Sequence, residues 1–209
     1  MRVIGGKAKG RRLRGPGRPT GPGGLSIRPT PDRVREALFN ILGDSIEGAS
    51  FLDVFAGTGA LSIEALSRGV GRATLLENSQ RALLLAVSNL SGCGFSRDLY
   101  RVIPGDALSS LSRLAEAKEA FDLIFLDPPY DSDLGEKALQ IIGERDLLRE
   151  GGRAILEHSS REKPVEALAG LRQVESREYG DTALSFYELV EKAAPPLEGT
   201  PDKIPMKEE

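Results

Sequence analysis

From residue 50 onward, short apolar runs alternate with stretches of helical periodicity, and this alternation leaves few architectures open to the chain. The runs 50–55 (SFLDVF), 72–77 (RATLLE), 99–103 (LYRVI), 121–126 (FDLIFL) and 152–157 (GRAILE) read as strands, and 59–68, 79–91, 107–117 and 133–147 read as the helices between them. Strands joined through helices run parallel, and a parallel sheet is covered on both faces. Two further strand-like runs, 171–178 and 183–190, are separated only by Tyr179-Gly180-Asp181-Thr182. That connection is too short for a crossover and fits an antiparallel hairpin at a sheet edge. The expected fold is α/β, with a mostly parallel seven-stranded sheet, an antiparallel edge hairpin and helices on both faces.

Ahead of the alternation, Val34, Ala37, Leu38, Ile41 and Leu42 recur at three- and four-residue steps, so 32–43 reads as an amphipathic helix capped by Asp32 or Thr30. The formal charge of −3 argues against a polyanionic partner until it is divided. Residues 1–35 hold ten Lys or Arg and one acid, a charge of +9 that leaves −12 on the remainder. A basic arm on an acidic domain invites a polyanion, although a merely solvated terminus has the same composition. The chain thus divides into a basic arm over 1–31, a domain over 32–190 and a polar, proline-containing tail over 191–209 that is expected to be disordered. The GPGRPTGPGG run at 15–24 favours an irregular, mobile loop within the arm.

The segment Asp53-Val54-Phe55-Ala56-Gly57-Thr58-Gly59-Ala60 joins an apolar strand to a helix, and its glycines permit a tight turn and a close ligand approach. Glu77 ends the next strand, where a carboxylate can accept from two ribose hydroxyls, and Asp106 follows the third. These features suit NAD as well as S-adenosylmethionine. Ser62 stands where a dinucleotide fold has its third glycine, which weakens the pyrophosphate reading. Asp53 suits either a ligand with a cationic amino group or a plain turn cap.

Asp127-Pro128-Pro129-Tyr130 follows the very apolar run 121–126 and is the most specific motif in the chain. Two prolines cannot continue a ladder, so the chain leaves the sheet in a stiff conformation at the strand end where α/β ligands bind. A fixed carboxylate beside a proline-held carbonyl makes two acceptors for the hydrogens of an exocyclic amine. A tyrosine immediately after offers a stacking surface for a planar base. An amine held this way can aim its lone pair at a methyl electrophile, a reaction run by orientation without a covalent enzyme intermediate.

DVFAGTG (53–59), the acids Glu77 and Asp106, and DPPY (127–130) resemble the ordered motifs of Rossmann-like class I S-adenosylmethionine-dependent methyltransferases acting on exocyclic amines. MRVIGGKAKGRRL at the N-terminus, RPTPDRVREALFNIL (28–42) and YGDTALSFYEL (179–189) are similar, more narrowly, to the bacterial RsmD-type family, which modifies a guanine N2 in small-subunit (16S) ribosomal RNA. The resemblance spans residue 1 to about 190 and leaves out the tail. It implies that Gly57 and Gly59 admit the methionine part of S-adenosylmethionine, that Glu77 holds the ribose and that Asp106, with Ala107 nearby, holds the adenine. Asn78 and Phe55 line the same pocket and Asp53 borders it. Asp127 and the Pro128 carbonyl orient the guanine, Pro129 stiffens the motif and Tyr130 stacks on the base. Lys7, Lys9, Arg11, Arg12, Arg14, Arg28 and Arg33 grip RNA phosphate, although Arg28 and Arg33 equally suit a cover over the cofactor or a helix entry.

The implied partner is small-subunit ribosomal RNA, alone or in an assembling subunit; a cytoplasmic location is expected, and the oligomeric state stays open with a monomer favoured. One histidine, His158, and one cysteine, Cys93, give no metal cluster, no internal disulfide and no nucleophilic scheme. His158 reads as a hydrogen-bonded structural residue, and Phe186 and Tyr187 read as packing. Competing readings are a DNA adenine-N6 methyltransferase, a nucleotide-dependent oxidoreductase, which gives DPPY no role, and a non-catalytic RNA-binding protein. No run is long and apolar enough to span a membrane.

Overall fold

The computed structural model describes residues 1–15, 31–130 and 132–190. Arg28, the Pro/Gly run beyond Gly15 and the C-terminal tail lie outside the described residues.

The strands β1 (Ser50–Asp53), β2 (Arg72–Glu77), β3 (Tyr100–Pro104), β4 (Phe121–Leu126), β5 (Leu148–Ser159), β6 (Ala167–Leu168), β7 (Leu171–Tyr179) and β8 (Thr182–Leu189) form one sheet. Its order is β3-β2-β1-β4-β5-β8-β7-β6. β1 to β5 pair in parallel, whereas β8 runs antiparallel between β5 and β7. The helices are α1 (Asp32–Leu42), α2 (Ala60–Ser67), α3 (Gln80–Gly92), α4 (Ala107–Glu116) and α5 (Leu134–Glu144).

Alternation along the central strands feeds two cores. Phe51, Leu123, Phe125 and Ile155 face α1, α2 and α3, while Leu52, Ile124, Leu126 and Leu156 face α4 and α5. This is the two-sided burial that continuous apolar strands require.

The expected seven strands are eight, because the two-residue β6 pairs with Leu171 and Arg172 of β7, while the rest of β7 keeps the hairpin at the sheet edge. A strand of that length is too short to show a period in sequence. β5 begins four residues before the expected 152, since Leu148 already pairs with Phe121 across an irregularity in register. The expected cap of α1 is also corrected. Pro31 occupies that position without a side-chain cap, and Asp32 instead pairs with Arg35 at 2.6 Å.

The basic N-terminal segment is folded onto the domain through residue 15. Val3, Ala8 and Leu13 are buried, and a small antiparallel bridge links Arg2 with Arg12. Its anchor is Glu64 of α2, which is fully buried. The Glu64 carboxylate accepts from the backbone N–H groups of Ile4 (2.8 Å) and Gly5 (2.7 Å) and from Arg68 Nε (2.8 Å). Arg35, buried on α1, stands 3.9 Å from the same carboxylate and donates to the Arg2 carbonyl at 3.0 Å. Gly6 sits at φ +69, where a Cβ would lie 1.8 Å from the Ser67 carbonyl oxygen, so only glycine permits this approach to α2.

Candidate active site at the strand switch point

β1 has β2 and β3 on one side and β4 and β5 on the other, so the loops leaving β1 and β4 diverge and open a crevice at their carboxyl ends. A cavity of about 470 Å³ occupies it, a size typical of small-molecule sites. Phe55, Gly57, Glu77, Asn78, Asp106 and Ala107 line one half. Asp127, Pro128, Pro129 and Tyr130 line the other. Ten of the residues singled out from sequence therefore meet in one place.

The glycine turn is held by the strand beside it. Gly57 and Gly59 adopt φ +52 and +74, left-handed conformations that favour glycine. The Glu77 carboxylate accepts from Gly57 N–H at 2.8 Å through one oxygen and from Ser79 N–H at 2.8 Å through the other. Each oxygen has a further lone pair for a ribose hydroxyl. Asp106 caps α4 by accepting from Ser109 N–H at 2.9 Å. The hydrogen bonds from Ser109 hold its carboxyl below the usual range, so it is ionised at neutral pH.

Two expected residues do not line the cavity. Gly59 packs the turn against α3, since a Cβ there would meet Ala86 Cβ at 3.1 Å. Asp53, only 2% exposed, accepts from Ser62 Oγ at 2.6 Å behind the turn. The serine in the third glycine position thus ties α2 to β1. Burial pushes the Asp53 carboxyl up to about 7, against the lowering effect of Ser62 and with a smaller contribution from Glu77. A carboxyl whose folded value exceeds its unfolded one contributes stability fully below about pH 4, and that contribution is lost as pH rises through about 7. Asp53→Asn should therefore gain melting temperature relative to the parent between pH 4 and 7, with no further gain above. A difference independent of pH would show that Asp53 does not titrate in this window.

On the other half, buried Pro128 fits against α5 because Gly135 leaves room: a Cβ there would meet Pro128 Cγ at 3.3 Å and Leu156 Cδ1 at 2.9 Å. Tyr130 Oη lies 3.4 Å from Thr182 Oγ1, which joins the motif to the start of β8. Sequence reasoning missed Glu157, a cavity-lining carboxylate on β5 that is 2% exposed. Its signal was an acid closing the apolar run Ala154-Ile155-Leu156. His158, its neighbour, is buried between the Ser159 carbonyl (2.8 Å) and Ser185 Oγ (2.9 Å), and Phe186 and Tyr187 are fully buried. Among the described residues no cluster could hold a metal ion, and no helix is long and apolar enough to cross a membrane.

Lys7, Lys9, Arg11, Arg12, Arg14 and Arg33 are all exposed. Lys7 Nζ stands 5.1 Å from the centre of the Phe95 ring, and Arg11 donates to the Gly92 carbonyl at 3.2 Å. Arg35, which contributes to the +9 of the N-terminal segment, is only 1% exposed and serves the fold instead.

Among the described residues, four carboxylates and no Lys or Arg line the cavity. That donor set disfavours a diphosphate, which needs cations or a free helix N-terminus, and fits a nucleoside that carries a cationic sulfonium and amino group. The model described as "Conserved hypothetical protein 95" matches residues 1–188. The chain is 37% identical over 148 residues to "Ribosomal RNA small subunit methyltransferase D" of Escherichia coli, covering 71% of this chain and 69% of that one. It is 35% identical over 187 residues to YlbH of Bacillus subtilis, covering 90% of this chain and 98% of that one. A solved structure of Escherichia coli yhhF superposes with a TM-score of 0.75 at 30% identity, covering 90% of this chain and 97% of that chain. The sheet order, the anionic cavity and these likenesses agree: the chain belongs to the RsmD-type family and is a class I methyltransferase that uses S-adenosylmethionine.

Proposed function

We propose that this methyltransferase modifies the exocyclic N2 amine of a guanine in small-subunit ribosomal RNA, and so works in the cytoplasm. The observation that carries the reading is the placement of Asp127-Pro128-Pro129-Tyr130 across one cavity from Glu77 and Asp106. Support for the substrate comes from the similarity to a relative named for the ribosomal small subunit and from the exposed cations of the N-terminal segment.

In this reading Gly57, Glu77, Asn78, Asp106 and Ala107 hold S-adenosylmethionine, which supplies an electrophilic methyl group on sulfur. Asp127 and the Pro128 carbonyl accept the two N2 hydrogens and turn the nitrogen lone pair toward the cofactor half. Tyr130 stacks on the base and fixes its plane. The bound cofactor would supply the methyl group and keep the carbon–sulfur electron pair on its leaving thioether, and Asp127 would take the proton that N2 gives up on methylation. Alignment and fixed charge supply the acceleration, so no nucleophile or metal is required.

The test is incubation with labelled S-adenosylmethionine and either naked small-subunit RNA, partly assembled subunits or DNA, followed by digestion to nucleosides. N2-methylguanosine from RNA or subunits is expected. A methylated adenine, or label in DNA alone, rejects the proposal. Lys9→Ala with Arg12→Ala should lower the slope of log affinity against log salt by roughly 2 at most, without change in melting temperature. An unchanged slope removes these side chains from the phosphate contact.

A further inference from the structure

The cavity's four carboxylates do not all have work in the scheme above. Glu77 and Asp106 belong to the cofactor half and Asp127 to the amine, whereas Glu157 is buried at the carboxyl end of β5 without an assigned role. Its position is specific. β4 and β5 pair in parallel as far as Leu126 beside Leu156, after which Asp127 leaves the end of β4 while Glu157 continues β5, and both line the cavity. Neighbouring strands lie about 4.8 Å apart, so the end of β4 and the adjoining part of β5 bring two carboxylates to the same half of the cavity.

We infer that Glu157 is a specificity-determining residue that accepts the N1–H of the target guanine while Asp127 and Pro128 hold its N2 amine. The inference rests on the guanine-N2 reading and deepens it. Guanine presents N1–H and the N2 amine as adjacent donors, which two adjacent carboxylates match. Adenine presents one amine beside an N1 lone pair, which faces Glu157 with repulsion instead of a hydrogen bond. A carboxylate has about four acceptor positions, so contacts within the protein leave capacity for the base. Discrimination by a site built for a donor exceeds what shape alone provides.

The test compares target RNA carrying guanine with RNA carrying 2-aminopurine at the modified position, using the parent protein and Glu157→Gln. 2-Aminopurine retains the N2 amine but has a lone pair at N1. The parent is expected to prefer guanine strongly. Glu157→Gln should lose about 10- to 150-fold in kcat/KM on guanine, the range for a charge-assisted hydrogen bond, with unchanged affinity for S-adenosylmethionine. The preference for guanine over 2-aminopurine should narrow, because the glutamine amide donates to N1. Equal rates of the parent on both bases overturn the inference whether or not the variant folds. A variant that loses equally on both bases, or loses nothing, also overturns it and leaves Glu157 a structural residue. A parent that forms N2-methylguanosine in neither RNA nor subunits rejects the function itself, a result distinct from the other two.

Discussion

Asp127→Ala is expected to reduce methyl transfer by at least roughly 10²–10³-fold, the loss typical when one fixed electrostatic contact to the reacting group is removed, while leaving affinity for S-adenosylmethionine nearly unchanged. The division follows from position. Asp127 leaves β4 on the acceptor half of the cavity, whereas Gly57, Glu77 and Asp106 leave β1, β2 and β3 on the other. In the proposed reaction its carboxylate stabilises an aligned amine, an interaction that matters most in the transition state. In steady-state kinetics with calorimetry in parallel, the loss should fall on kcat with little effect on cofactor binding. Loss of cofactor affinity equal to the loss of rate would refute this division of labour.

Glu64→Ala should be the most destabilising single change outside the cavity. Its carboxylate gathers the Ile4 and Gly5 N–H groups and Arg68, with Arg35 3.9 Å away, at a site with no solvent exposure. Removing it leaves the Ile4 and Gly5 N–H groups without their acceptor and takes the nearby charge from Arg35, a buried guanidinium that keeps Asp32 on Nη2 but whose Nε and Nη1 make no hydrogen bond. Breaking such a group costs about 3–5 kcal/mol, or roughly 6–20 °C in a chain of this size. The same change should free residues 1–15 from α2, speeding hydrogen exchange at Ile4 and Gly5 and weakening RNA binding. A melting temperature within about 2 °C of the parent, or continued protection of those two amides, would show that the segment is held by its apolar residues alone.

The strength of this anchor explains what the sequence concealed. Charge composition marked residues 1–35 as a basic arm, but composition averages over side chains that point in opposite directions. Val3, Ala8 and Leu13 are too sparse to register as a period, yet they bury the segment and leave Lys7, Lys9, Arg11, Arg12 and Arg14 outward. Glu64 carries no signal in the sequence, because the N–H groups it accepts from lie about 60 residues away.

The residues that line the cavity were far more legible. Strand ends in a doubly wound sheet converge by topology, so the turn after β1, the acids after β2 and β3 and the motif after β4 could be gathered from local sequence alone. Asp53 and Gly59 show the limit of that logic. Both belong to the glycine turn, but a turn has an inner side, and there Asp53 meets Ser62 and Gly59 meets Ala86 instead of a ligand. Glu157 escaped for the opposite reason, since an acid closing an apolar run, with no glycine or proline beside it, carries only a weak local signature.

The central claim concerns one atom, the guanine N2, and replacing the target guanine by inosine tests it most directly. Inosine retains N1–H and the six-position carbonyl but lacks the exocyclic amine. Small-subunit RNA carrying inosine at the modified position should still bind the enzyme with near-normal affinity and should take up no labelled methyl group there. Methyl incorporation into the inosine at the rate seen with guanine would contradict the account, because the acceptor held by Asp127 and Pro128 could not then be N2.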